Sequence, residues 1–302
     1  MDPKPEGEQP ITETQPFTVT SHLGASPDGL NPITSGTVRS RSVTNQIFSH
    51  LVHYDTKTLK AAPVLLKEMP IIEKLEGGDY PIAMHYEILD EAIWDNGQPV
   101  TGHDVEFTIK VMLNPKVPAS GLRPFVEKMK HIEIDKDNPK KFIIYSEVYF
   151  LLEEIFTNFP ILPSYVYDAK GLLKNVSMKE LSDPEQRKKL ETSNANLQTF
   201  ADEFNSAKFN RETVVGCGPY KFVEWVTEQR IVLRKKEDWW GDKFSSENRL
   251  LQAYPTEIVF KPIEDMTTAV TELKDGAIDV ILSLIHIPSP RDATLSRMPS
   301  SA

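Results

Sequence analysis

The chain has one cysteine, no basic excess and no long apolar run, and each shortage closes off a class of protein. A lone Cys217 cannot form an intramolecular disulfide, and no histidine lies near it in sequence to activate a thiol. Lys and Arg number 34 against 44 Asp and Glu, a net charge of -10, so the chain repels nucleic acid. The basic clusters are short, such as Arg234–Lys236. No stretch reaches the apolar length of a membrane span. The first residues, "MDPKPEGEQPITETQP", lack the basic-then-apolar order of an export signal. Residues 1–15 are expected to be a disordered linker, since they have almost nothing to bury.

Periodicity supplies the rest. Phe17–Leu23 alternates and is rich in β-branched residues, which predicts a strand, followed by a loop with breakers at Pro27, Gly29 and Pro32. Val43, Ile47, Phe48 and Leu51 fall at helical spacing and predict a helix over 37–54, with Thr34 and Ser35 as caps. Ile82, Met84, Tyr86 and Ile88 share one face of a strand. Asn96-Gly97 predicts a turn, and Thr101 with Asp104 a capping box for a helix burying Val105, Ile109 and Met112. "KFIIYSEV" reads as a strand, and 170–211 as polar, peripheral helices. "GPYKFVEWV" and "QRIVLRKK" predict an antiparallel pair joined at Thr227-Glu228. "TEIVFKPI", a helix capped by Gly276 and "AIDVI" form a strand–helix–strand unit, which implies parallel strands. The mixture is α/β or α+β in two layers.

Three functional classes compete on these residues. Asp95 and Asp104 could pair as the carboxylates of a hydrolase, but a turn and a helix cap explain both equally well. His50 and His53, at i and i+3 on the expected helix, could start a metal site, yet no third ligand stands at local spacing. No nucleophile elbow, Walker loop or dinucleotide fingerprint is present. The third class is a binding protein.

That class is where specific motifs lead. "LNP" (Leu30–Pro32), "IFSHLVHYDTKTLKAAPVLLKE", "IWDNGQPVTGHDVEFT", "VVGCGPYKFVEWVTEQRIVLRKKEDWW" and "LKDGAIDV" occur in the order found in the bacterial extracellular solute-binding proteins of family 5. These are the oligopeptide-, dipeptide- and nickel-binding components of ABC importers, and the chain resembles them from about Phe17 to Ile281. The third motif is similar to W-x-D-G-x-P-V-T-A-x-D-V, with Asn96 in the usual Asp slot and Gly102 in the usual Ala slot. Cys217 replaces the usual Thr of the fourth.

The resemblance implies an α/β, periplasmic-binding-protein-like two-lobed clamp, of which the first lobe and its associated subdomain are present. It places the first lobe in 16–40 and 213–281, with 41–212 inserted as a subdomain. It implies no catalytic residue, cofactor or metal ligand, a peptide or similar small solute as ligand, and permease subunits as partners. It also implies a monomer in the periplasm, held by a lipid anchor that would precede Met1; a nickel-type receptor is the nearer alternative and a hydrolase the farther one. The loop Gly24, Ala25, Ser26, Pro27 and Asp28 is the expected ligand-binding edge, with Arg123 and Phe125 as secondary candidates. Past Ile281 the family pattern breaks, and "LSLIHI" resembles a translated library adaptor, so residues 282–302 are expected to be a non-native tail and the chain a fragment.

Overall fold

Two four-stranded sheets organise the chain, and the first is assembled from its two ends. The computed structural model describes residues 16–77, 79–147 and 157–281. The expected linker 1–15 and tail 282–302 lie outside them. The first sheet has the order β1 (Thr18–Leu23), β10 (Glu257–Pro262), β9 (Arg230–Lys235), β8 (Tyr220–Val226). β1 runs parallel to β10, while β9 is antiparallel to both β10 and β8. β1, β8 and β10 therefore point the same way and end on one edge.

The second sheet, β4 (Ile71–Lys74), β5 (Ile82–Glu87), β7 (Lys141–Ser146) and β6 (Met129–Ile134), is antiparallel throughout. Ile82, Met84 and Tyr86 turn inward as the alternation predicts, and Tyr86 stacks on Phe142 with ring centroids 5.0 Å apart. Helix α2 (Gly102–Leu113) packs beside this sheet. The Asp104 carboxylate accepts the Thr101 N–H at 3.0 Å, the reciprocal half of the expected capping box. α2 buries more than one stripe: Phe107, Thr108, Val111 and Leu113 are covered along with Val105, Ile109 and Met112. It is sandwiched, so its pattern is apolar nearly all round.

Four expectations are corrected. Helix α1 covers Val38–Ile47, not 37–54, and its cap is Thr37, whose hydroxyl accepts the Ser40 N–H. The chain then forms β2 (Val52–Tyr54), paired with β3 (Ala61–Pro63), so Phe48 and Leu51 are buried from non-helical backbone. The cause lies 170 residues on. Gly218 N–H donates to the Ile47 carbonyl at 2.8 Å, and a Cβ on Gly218 would stand 2.7 Å from that carbonyl, so the glycine backbone takes the space of the next turn.

The segment 170–211 is only partly peripheral. α5 (Met178–Ser182) buries Leu181, α6 (Pro184–Ser193) buries nothing, but α7 (Ala195–Phe204) inserts Leu197, Phe200 and Phe204 into the core. Phe200 stacks on Phe204, which meets Tyr167 of α4 (Ser164–Tyr167) edge-on. Last, the strand after α8 (Met266–Lys274) is a single parallel bridge, Ser21 to Val280. The crossover from β10 passes over β1 and pairs on its far side, which places β1 inside the sheet. One hydrophobic cluster runs from Leu23 to Phe260 through both sheets, and a small second one, Ile263, Ala269 and Ile278, lies under α8.

Candidate functional site

The common edge of β1, β8 and β10 is where the fold leaves main chain available. Ligands of open α/β sheets sit beyond the carboxyl ends of the strands, and the loops there are 24–28, 227–229 and 263–265. Leu23 carbonyl accepts the Ile263 N–H at 3.0 Å, and His22 Nε2 donates to the Ile263 carbonyl at 2.8 Å. After Leu23 the pairing stops. Gly24, Ala25 and Ser26 make no main-chain hydrogen bond among the described residues. Gly24 is exposed, with nothing within 4 Å of an added Cβ, while Ala25 and Ser26 are half-buried.

The other end of the loop is anchored. Pro27 is buried. Asp28 Oδ1 accepts the Thr37 hydroxyl at 2.8 Å and the Ser40 hydroxyl at 2.5 Å, tying the loop to the start of α1. Partial burial acts to raise its pKa, but these two hydroxyls outweigh it and hold the carboxyl below its ordinary value. Asn31, fully buried, accepts the Ile33 N–H and donates to the Phe204 carbonyl at 3.1 Å, so the "LNP" stretch is a joint between loop and core.

Arg123 and Phe125 stand elsewhere, on α3 (Arg123–Val126), beside α2. The Arg123 guanidinium donates to the carbonyls of Met112, Asn114 and Val117 at 3.1, 2.9 and 2.6 Å, which satisfies the end of α2. Burial lowers its pKa. Phe125 is 58% exposed. No hydrogen bond joins either residue to the loop 24–28 among the described residues.

Sequence reasoning missed the third side of the site. Ser26 Oγ accepts the Glu228 N–H at 3.2 Å, although β1 and the β8–β9 hairpin are two or more strand spacings apart, about 10 Å. The hairpin end and the loop therefore lean together across β10. A turn residue with positive φ (Glu228, 57°) makes the hairpin reverse where it does. The hairpin itself was foreseeable; its lean was not, because nothing local encodes it.

Among the described residues, the carboxylates and histidines of the rival readings have structural partners of their own. Asp104 is buried and accepts Trp94 Nε1 at 3.3 Å, and burial raises its pKa. Asp95 pairs with Lys236 at 2.5 Å. The two carboxylates thus serve separate structural partners. His50 and His53 meet edge-on at 5.2 Å, though on irregular chain and β2 rather than on a helix. Burial, helped by His53, holds His50 down to about 3, and no group of three or more metal-ligating side chains exists among the described residues. Cys217 is buried and its thiol is pushed up to about 11 by that burial, while its carbonyl accepts both indoles, Trp239 at 2.9 Å and Trp240 at 3.1 Å. The G-C-G-P-Y and D-W-W motifs thus hold each other. A cavity of about 800 Å³ lies between α2 and the 164–175 segment and is lined by none of the candidates.

A family model, described as bacterial extracellular solute-binding proteins, family 5 Middle, matches residues 84–297. The chain belongs to this family. Among curated relatives, the oligopeptide-binding protein AppA of Bacillus subtilis (strain 168) is 27% identical over 255 residues, which is 84% of this chain and 38% of the relative. The solved structure of Bacillus subtilis AppA with a nonapeptide superposes with a TM-score of 0.60 at 22% identity, over 87% of this chain and 44% of that one. Burkholderia pseudomallei OppA gives 0.64 at 18%, over 94% and 48%. NikZ of Campylobacter jejuni, solved with Ni(L-His), gives 0.58 at 19%, over 86% and 42%. The chain thus spans less than half the length of these proteins, and at such identities the superpositions establish the periplasmic-binding-protein fold alone. No helix among the described residues is long and apolar enough to cross a membrane.

Proposed function

We propose that the protein is the substrate-binding component of an ABC-type importer, capturing peptides or a similar small solute. The observation that carries the reading is the family match over residues 84–297. The open main chain of Gly24–Ser26 at the strand ends supports it. An extended peptide can add to such an edge as a strand, gaining affinity from backbone bonds and leaving its side chains largely unread. In this reading 16–40 and 213–281 form one wall of the cleft, 41–212 is a subdomain inserted in that wall, and the facing wall comes from the second lobe of the family architecture. The clamp closes around its ligand, works as a monomer in the periplasm on a lipid anchor, and delivers to permease subunits without altering its cargo. Calorimetry of the full-length gene product against a peptide library tests this, with the bound peptide recovered afterwards. Intact recovery is expected. Recovery of cleaved peptide overturns the receptor reading.

A further inference from the structure

Lysine is seldom buried, and among the described residues only Lys110 and Lys140 are buried lysines. Lys140 is well satisfied: its ammonium donates to the carbonyls of Leu89 and Ala92 at 2.6 and 3.0 Å. Lys110, 6% exposed, reaches a single group, the Glu106 carboxylate one helical turn back, at 2.8 Å. An ammonium carries three donors, so two of them have no partner among the described residues. Both members of this pair line the cavity of about 800 Å³ between α2 and the 164–175 segment. They also line a second cavity, of about 320 Å³, beside β6 and α5. Lys174 and Asn175 are common to both, so the two are halves of one groove with the ion pair at its waist. Each volume lies within the span of small-molecule sites, about 300–1,000 Å³.

The wall opposite α2 is built in advance. The Asp168 carboxylate accepts the Leu172 and Leu173 N–H groups at 2.7 and 2.9 Å, and Gly171, at φ 66°, turns the chain ahead of them. A wall that keeps its shape without a ligand spares the ordering cost of binding. Charge then decides what fits. Lys110, Lys174 and Lys179 line the groove against Glu106 and Asp168, and Asp79 stands 3.9 Å from Lys179, so the charges balance. The Lys110 charge is already matched by Glu106, whose carboxylate would repel a second anion. The waist therefore offers a donor and an acceptor side by side, and the Asn175 amide supplies both kinds in the same groove. Two adjacent hydroxyls match such a pair, one accepting from the ammonium and one donating to the carboxylate. Tyr165 and Leu173 add apolar surface for the C–H face of a ring.

We propose that this groove is a second ligand site, for a neutral saccharide whose vicinal hydroxyls bridge Lys110 and Glu106. No residue of the loop 24–28 lines it, so the site is separate from the peptide edge and does not rest on the peptide reading. Saturation-transfer NMR on the full-length protein tests it, with maltotriose, cellotriose and triacetylchitotriose as probes and octanoate and octylammonium as charged controls. At least one trisaccharide should bind with a dissociation constant of about 1 mM or tighter, and should still bind with the peptide library in excess. Lys110→Met should weaken that binding at least about tenfold, and Asn175→Ala, at an exposed position, about fivefold. Capture of the peptide library should be unchanged in Asn175→Ala, which decides the matter if Lys110→Met does not fold. Binding of none of the three, or of a charged control in their place, overturns the assignment. Wild-type saccharide affinity in the folded variants overturns it as well. Displacement of the saccharide by peptide also overturns it, because the sugar then occupies the peptide edge.

Discussion

Trp94 is 2% exposed, its indole donates to Asp104, and its ring meets Tyr165 edge-on. Trp94→Ala is expected to destabilise the protein by about 3–5 kcal/mol, as for other large buried aromatics, with ligand affinity of the folded fraction unchanged. A urea titration beside a binding curve checks both halves. An unchanged unfolding midpoint with lost affinity would place Trp94 in the site instead. His50 makes a second expectation, this time in pH. Its folded pKa, about 3, is depressed below the ordinary 6.5, so the unfolded chain binds the proton first. Its contribution is complete above pH 6.5 and declines as pH falls from there towards 3, by at most about 1.4 kcal/mol per pH unit. His50→Gln should flatten the stability-versus-pH curve between 6 and 4, and an unaltered slope would mean that His50 is solvated in the folded state. Both residues are visible in the sequence, but only Trp94 shows its surroundings there. The turn and cap beside Trp94 are local, whereas the burial of His50 depends on chain from residues 160 and 239–252.

The G-C-G-P-Y stretch shows how one segment sets the end of another. A Cβ on Gly218 would meet Ile47 backbone at 2.7 Å, and backbone cannot rotate away as a side chain can. Gly218→Ala should therefore cost roughly 1–3 kcal/mol, the range for forced overpacking, read as a lower thermal midpoint. Stability within 0.5 kcal/mol of wild type would show that α1 can shift at little cost. The same contact explains why helical spacing misled over 48–54. Phe48 and Leu51 fit the pattern because they are core residues, and periodicity reports burial without reporting which backbone delivers it. Asp104 and Thr101 were legible because both halves of a capping box lie within four residues. Asp28 and Ser26 were legible as loop residues, but their partners Ser40 and Glu228 were not, since packing fixes them.

For the entire molecule the peptide reading makes a further quantitative demand. A cleft wall presented by this 302-residue chain covers one side of a ligand, whereas sites of useful affinity bury most of it. The chain alone is expected to bind peptides of the library with a dissociation constant above about 1 mM, against micromolar or tighter for the full-length product. Tight monomeric binding by the chain alone would remove the need for a second lobe.

The position of β1 has a consequence for how such a protein is made. Thr20 N–H donates to Asp279, 259 residues away, and Thr256 reaches back to Phe17 across 239. The first strand emerges early and then waits for sheet neighbours that are synthesised much later. At roughly 5–20 residues per second, some 12–50 s separate its appearance from that of β10. During that interval its edges have no native partner, and holding chaperones or premature strand pairing compete for them. In the importer reading proposed above, a strand order that looks inconvenient for folding suits a chain carried across a membrane before it folds.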